Sequence, residues 1–568
     1  MGSKPTYTVS DQWIGQPRPV RVVVIGAGIG GIAAVKLFRE TFQDRPTTLV
    51  IYEKNHDVGG TWLENRYPGC SVDNPGHTYT YSWEGNPSWS RAYVGAEEVF
   101  EYYKGRAKVY GVYEYVNFNH RVIEARWDDY VGQWKLKIEK EGSSIIEDEC
   151  EVLINVCGML NQWKWPSIDG LDTYKGHLVH SAIWDSNYSF KGKTIGVIGS
   201  GSSAIQMVPK LQKANECFNQ PEVKSLISFN RSPSWITQEF GAKYIPEGRG
   251  LVYSDEQREE WRNNPTEFLK YRKEIESIAN KFWHAQFKDG PFQEEWYKQT
   301  RQNMETALGG NPELISKIVP TFAVGCRRSN VYIRVTPGHG YLEALAKDNV
   351  VVRSDEIRRI TPTGVQMVDG TNLVLDAIIC ATGFDNSFRP SFALIGENGV
   401  DLRDEWREEP RSYLSVAAAG FPNYFMATGP NFPLANGSLV ACLEQTLKYA
   451  FRAVEKIQTQ GVKAVSPTRE AVNDFQEHKD TIMEKMVWTS PCRSWYKNGK
   501  VDGKVWGPYP GSVPHFFELM SETRWEDFKI EYRTSNRFQY LGRGNTHREV
   551  SGGDLAWYVT EPGADLAA

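Results

Sequence analysis

The run Arg21-Val-Val-Val-Ile25-Gly26-Ala-Gly28-Ile-Gly-Gly31-Ile-Ala-Ala-Val35 decides the fold. Four β-branched residues predict a buried strand, the glycines a tight turn, and the alanines the start of a helix. Gly26 permits the turn and Gly28 lets a pyrophosphate reach the backbone. Gly31 lets helix and strand close up, so that the helix N-terminus faces the anion. Working outward, Thr48-Leu-Val-Ile-Tyr52 predicts a second strand ending at Glu53, which follows Gly31 by 22 residues. A carboxylate at that place can accept both ribose hydroxyls of a dinucleotide.

A second turn, Gly199-Ser-Gly201-Ser202-Ser203-Ala204, follows the apolar strand Thr194-Ile-Gly-Val-Ile198. Its partner signal differs. Arg231, in Phe229-Asn-Arg231-Ser232-Pro233, comes 30 residues after Gly201, with no acidic residue at the matching strand end. An arginine beside a hydroxyl suits a 2′-phosphate, which predicts NADP(H) rather than NAD(H). Two fingerprints of opposite preference imply two cofactors held face to face. A flavin, as FAD, reduced by NADPH is one natural pair. A disulfide reductase would use the same pair, but it needs a redox-active cysteine pair. The cysteines at 70, 150, 157, 217, 326, 380, 442 and 492 form no CxxC. That spacing predicts neither a disulfide framework nor a thiolate zinc site, and fits a reducing, cytoplasmic setting. No metal site is expected.

The 568 residues predict several units of ordinary globular composition, with 40% hydrophobic and 24% charged residues. A net charge of −5 gives no polyanion footprint, so nucleic acid is not an expected partner. The longest apolar-plus-glycine run, 22–35, has 14 residues against the ~20 needed to span a bilayer, so no membrane partner is expected. No secretory leader is read. Met1-Gly2-Ser3-Lys4-Pro5-Thr6 formally matches a myristoylation pattern, with a plain polar arm as the simpler reading. Residues 254–305 carry apolar positions 268, 271, 275, 278 and 282 at helical spacing, with a capping box at Ser254-x-x-Gln257 and proline at a first turn in Asn264-Pro265.

The expected fold class is therefore α/β, with two Rossmann-like dinucleotide-binding domains. The NADP domain is inserted in the FAD domain and carries a helical insertion. The expected boundaries are an arm at 1–19, the FAD domain at 20–156, a linker at 157–190, and the NADP domain at 191–235 and 325–380. The helical insertion takes 236–324, and the rest of the FAD domain with a C-terminal segment takes 381–568. Most of the nineteen tryptophans have no assigned place in this reading.

Several segments resemble Baeyer–Villiger monooxygenases of type I. Gly59-Gly-Thr61-Trp62-Leu-Glu-Asn-Arg66-Tyr-Pro-Gly69-Cys-Ser-Val-Asp73 resembles the family's flavin-side segment. Tyr174-Lys-Gly176-His-Leu-Val-His180-Ser-Ala-Ile-Trp184-Asp185 is similar to its long fingerprint, with Tyr in the opening aromatic place. Asp376–Asp385 resembles the ATG segment that returns the chain to the flavin domain, and Gly420–Phe425, Gly429-Pro430 and Ser494-Trp495-Tyr496 are also family-like. The likeness spans roughly residues 20–520, in the family's order, and the variant motifs, including Gly325-Cys-Arg-Arg328, resemble its fungal branch.

The resemblance implies an enzyme that uses NADPH, FAD and O2 to turn a small-molecule ketone into an ester or lactone, through a flavin C4a-peroxide. It implies Arg328 as the active-site cation and Asp73 as the carboxylate that holds it. It also implies cofactor contacts at Thr61, Trp62, Tyr79 and Val122, at Arg327 toward the NADP phosphate, and at Trp495. A guanidinium stabilises anions without giving up its proton. One departure stands out: Ser329–Val335 intervenes before Thr336-Pro337-Gly338, an apparent insertion that makes Arg334 a competitor for the place of Arg328. His180, in an interdomain linker without a paired acid or nucleophile, reads as structural. The alternatives are a monooxygenase acting on nitrogen or sulfur, whose fingerprint lacks the Trp184-Asp185 ending, and a flavoprotein impaired by the insertion.

Overall fold

A computed structural model describes residues 7–141, 144–213, 223–237, 252–326 and 340–559. The strand Val20–Ile25 is the middle of a five-stranded parallel sheet in the spatial order Tyr424–Met426, Val152–Asn155, Val20–Ile25, Thr47–Tyr52, Val116–Asn117. Its two faces explain the unbroken apolar run. Val22 and Val24 pack with Ile51 and Ile154 under the helices Ile29–Phe42 and Leu439–Thr459. Val23 and Ile25 point the other way, onto Trp134, Leu136 and Ile138 of a four-stranded sheet. A strand covered on both faces has no polar side to show, so alternation disappears. Alternation survives one layer out, where Gln133–Lys140 buries Trp134, Leu136 and Ile138 and exposes the lysines between them.

A second parallel sheet runs Val350–Arg353, Ser225–Phe229, Thr194–Ile198, Ala377–Cys380, His177–His180. The first sheet takes strands from both sides of this block in the chain, so the second unit interrupts the first. Ser144–Cys150 pairs antiparallel with Gln133–Lys140, and Val152–Asn155 enters the first parallel sheet, with the strand breaking at Glu151. One expectation is corrected. The linker 157–190 is not wholly a linker, because His177–His180 hydrogen-bonds along Ala377–Cys380 as an edge strand. Four residues are too few to show a period.

Between the strands of the second sheet stand the helices Asp255–Asn263, Pro265–Lys281, Pro291–Ala307 and Pro312–Ile318. Ser254 Oγ accepts from Gln257 N at 3.1 Å, one half of the expected capping box, and Pro265 opens the next helix at its first turn as expected, with Asn264 Oδ1 accepting from Glu267 N at 3.4 Å. The apolar stripe has a definite target. Phe268, Tyr271, Trp261 and Tyr253 surround His77 of the flavin-side unit with ring centroids 5.2–5.5 Å away. Burial holds that imidazole neutral, its pKa lowered to about 3. Several aromatic residues thus serve to seat the insertion.

Beside this seat Arg272 Nη2 donates to the Tyr81 carbonyl at 2.9 Å, and two carboxyls stand close by. Burial, with a smaller push from the Glu444 charge, raises Glu276 to about 8, and burial raises Glu444 to about 7. A carboxyl whose folded pKa is raised binds a proton that the unfolded chain releases, so it destabilises the fold as pH rises from the unfolded value near 4.5 toward 8. Glu276→Gln is expected to raise the thermal midpoint at pH 8 and to match wild type at pH 5; differential scanning calorimetry at the two pH values checks this.

The cysteine expectation is also corrected. Cys326 and Cys492 form a disulfide across 166 residues of sequence, tying the end of the helical insertion to the segment that carries Trp495. CxxC spacing reports only local pairs; a single long-range bridge leaves no spacing signal. The inference of a reducing setting from the cysteines is withdrawn with it. Among the described residues no helix is long and apolar enough to cross a membrane, and no group of acidic, histidine or cysteine side chains could hold a metal. Of the N-terminal arm, residues 7–19 are described, and they lie along the C-terminal segment, with Ile14 N bonded to Asn545 O at 2.8 Å. The myristoylation pattern at 1–6 lies outside the described residues.

Candidate functional site

A cleft of about 1010 Å³ opens where the carboxyl ends of the two parallel sheets meet. Ligands of open α/β sheets bind at such ends. The first glycine turn enters it directly. Gly26 sits at φ +106°, against Val156 and Cys157 of the neighbouring strand end, a conformation that side chains rarely adopt. A Cβ on Gly31 would stand 2.2 Å from the Gly26 carbonyl oxygen, so only glycine lets the helix Ile29–Phe42 start so close to the strand. Gly31 itself does not line the cleft; it acts through that close approach. The Glu53 carboxylate bridges the turn, accepting from Ala27 N at 2.7 Å and Asn55 N at 2.8 Å. It is buried at 4% exposure, and burial raises its pKa against the pull of those two N–H groups.

The second turn repeats the pattern. Gly199 at φ +126° lies against Ala381, and a Cβ there would meet the Ala381 carbonyl oxygen at 2.3 Å. The helices Ile29–Phe42 and Ser202–Gln212 both begin without a side-chain cap and without an acidic residue in the first turn. Their positive dipole ends favour an anion. Gly201, Ser202, Ser203, Arg231 and Ser232 line this end of the cleft. Ser200 Oγ donates to the Ser232 carbonyl at 3.2 Å, which holds the Arg231 loop on the glycine turn. The matching strand ends at Phe229, and Asn230 follows it, as the acid-free reading requires. Asp355 and Glu356 at the end of the adjacent strand also reach the cleft, with Asp355 paired to Arg353 at 3.1 Å.

The structure brings the flavin-side residues to the same cleft. Gly26, Gly28, Glu53, Thr61, Trp62, Asp73, Tyr79 and Val122 line it, as does Trp495 from the C-terminal segment. Trp62 packs edge-on against Tyr79, with centroids 5.6 Å apart. The buried indole N–H groups of Trp62 and Trp495 have no hydrogen-bond partner among the described residues. Two orphaned donors, two uncapped helix starts and a buried carboxylate fit a pair of dinucleotides with polar ring edges. Arg327, Arg328, Arg334 and the apparent insertion Ser329–Val335 lie outside the described residues.

His180 does not face the cleft. It is fully buried, accepts from Ala182 N through Nδ1 at 3.1 Å, meets Thr382 Oγ1 through Nε2 at 3.2 Å, and stacks on Trp163 at 4.8 Å. Burial lowers its pKa to about 4, so it is a neutral clamp between the edge strand and the segment after Ala377–Cys380. Cys326 and Cys492 do not line the cleft either, so their bridge is not a redox pair at the flavin site.

Sequence reasoning missed Gln206. It lies one helical turn past Ser202, is buried, and joins Tyr67 and Asp73. A lone polar residue between Ile205, Met207 and Val208 was the available signal.

The molecule has relatives of known kind. The model of the family described as flavin-binding monooxygenase-like matches residues 19–305. The chain is 40% identical to the FAD-binding monooxygenase tazF of Aspergillus terreus over 96% of this chain and 95% of that protein. It is 32% identical to a Baeyer-Villiger monooxygenase of Streptomyces coelicolor over 88% of this chain and 90% of that one. Among solved structures, cyclohexanone monooxygenase from Rhodococcus sp. Phi1 bound to NADP+ superposes with a TM-score of 0.75 at 25% identity, covering 91% of this chain and all of that one.

Proposed function

Because this chain belongs to the flavin-binding monooxygenase-like family, we propose that it is an FAD-dependent Baeyer–Villiger monooxygenase that converts ketones to esters or lactones with NADPH and O2. One observation carries the reading: two phosphate-binding turns, one with a carboxylate and one with an arginine, open into a single cleft that also holds Asp73. The balance is a ketone, O2, NADPH and a proton giving ester, water and NADP+. FAD, reduced by NADPH, supplies the activation of O2.

The protein's own groups do the rest. The turn at Gly26–Gly31 and Glu53 hold the pyrophosphate and ribose of FAD, with Thr61, Trp62, Tyr79 and Val122 as further contacts. The turn at Gly199–Ala204, with Ser202, Ser203, Arg231, Ser232 and Arg327, holds NADPH, and Trp495 closes the nicotinamide side. We assign Arg328 to the stabilisation of negative charge that develops on the ketone oxygen. A guanidinium keeps its charge at any working pH, and by the family resemblance the Asp73 carboxylate orients it. The aromatic lining excludes water from the reacting centre.

Incubating FAD-loaded protein with NADPH and a panel of cyclic and linear ketones, beside thioethers and amines, tests the reading by gas chromatography. Esters or lactones from ketones are expected. Products from the thioethers and amines alone, or hydrogen peroxide alone, would replace it with the heteroatom or the impaired alternative. The nucleotide preference is tested separately. Arg231→Ala is expected to raise the KM for NADPH about tenfold, the worth of one charge-assisted hydrogen bond, and the KM for NADH by less than about twofold. Steady-state kinetics with the two nucleotides reads this.

A further inference from the structure

The loop that carries Asp73 belongs to the flavin-side unit, yet the Asp73 side chain also takes support from the other unit. Gln206, on the helix Ser202–Gln212 that opens from the second glycine turn, donates through Nε2 to Asp73 Oδ1 at 2.9 Å and to the Ser71 carbonyl at 3.0 Å. Its Oε1 accepts from the Tyr67 hydroxyl at 2.8 Å. The reverse amide orientation would set Oε1 against a carboxylate and a carbonyl, so only one orientation is satisfied. The backbones touch as well. Gly69, at φ +82°, lies so close that a Cβ there would stand 2.5 Å from the Gln206 carbonyl oxygen. Gln206 and Tyr67 are 7% and 8% exposed, so water cannot replace these bonds cheaply.

The same helix presents its first turn, Ser202 and Ser203, to the nucleotide end of the cleft. Anything that fixes this helix therefore fixes the Asp73 carboxylate, through one buried amide. We propose that Gln206 is a positioning residue that transmits occupancy of the NADP site to Asp73, so that the carboxylate is set for its arginine when the nucleotide is in place. The catalytic part of this statement rests on the ketone-oxidation reading above. The mechanical part does not.

The test uses FAD-loaded full-length protein with and without saturating NADP+, read by hydrogen–deuterium exchange. The segment 67–74 contains the reporters, including the Cys70 amide bonded to Tyr67 O at 3.1 Å and the Val72 amide bonded to Val94 O at 2.9 Å. In wild type NADP+ is expected to slow exchange in this segment. In Gln206→Met, which keeps the volume and deletes all of these side-chain bonds, that slowing is expected to disappear, and the ester formed per NADPH oxidised to fall about tenfold. Tyr67→Phe removes only the hydroxyl that orients the amide; it is expected to lower the same ratio about threefold and keeps the test decisive if Gln206→Met folds poorly. Protection of 67–74 by NADP+ that persists in Gln206→Met, or an ester ratio within about twofold of wild type in both variants, overturns the proposal. If wild type forms no ester from any ketone, the functional reading fails by itself. The exchange experiment then decides alone: lost protection supports the strut and retained protection overturns it.

Discussion

Gly31→Ala is expected to yield protein with little or no bound FAD and a fold weakened by about 3 kcal/mol. The cause is local and severe. The added methyl would lie 2.2 Å from the Gly26 carbonyl oxygen, and that atom is backbone in a turn already held at φ +106°. No rotamer change relieves the contact. The helix Ile29–Phe42 must tilt off the strand, which withdraws its N-terminus from the pyrophosphate and pulls the Ala27 amide from Glu53. Absorbance at 450 nm against 280 nm measures the flavin content, and urea unfolding measures the stability. The corresponding change in the second turn, Gly201→Ala, meets nothing within 4 Å and is expected to leave both nearly unchanged. The contrast separates a close-packing glycine from a merely permissive one.

The second large effect is expected at the proposed cation. Arg328→Ala should lower ester formation by about a thousandfold, the scale lost when a preorganised oxyanion partner is removed, and leave reduction of the flavin by NADPH in place. Stopped-flow bleaching at 450 nm reads the reduction, and gas chromatography the ester. Asp73→Ala should follow it in kind and fall short in degree, because the guanidinium keeps its charge without its partner. The paired variant should lose little more than Arg328→Ala alone if the two act as one unit. Unchanged ester formation in Arg328→Ala would transfer the role to another cation, with Arg334 as the sequence candidate.

The parts of the molecule that were legible in the sequence share one property: their cause is local. A turn that needs positive φ needs glycine at that place, and a strand buried on both faces needs an unbroken apolar run, so Val20–Ile25 and Thr194–Ile198 emerged with their turns. The Ser254 cap and the proline that opens the next helix at Pro265 were readable for the same reason. What was not legible depends on contacts between distant segments. The Gln206 amide meets Asp73 across 133 residues, and Cys326 meets Cys492 across 166. A part of the tryptophan surplus has the same origin, since Trp261 seats the helical insertion on His77 and Trp62 and Trp495 line the cleft. The proposed catalytic pair, Asp73 and Arg328, was reached through family resemblance alone, because no periodicity marks an arginine that would serve an anion.

The central claim, insertion of one oxygen atom from O2 beside a ketone carbonyl, is tested most directly by isotope. FAD-loaded protein is turned over with NADPH and a ketone under oxygen-18 gas, and the product is fragmented in a mass spectrometer. The account predicts an ester or lactone carrying one heavy oxygen, at the bridging position, with the carbonyl oxygen still that of the ketone. An unlabelled ester, or consumption of NADPH and O2 that delivers heavy oxygen only to hydrogen peroxide, would contradict it.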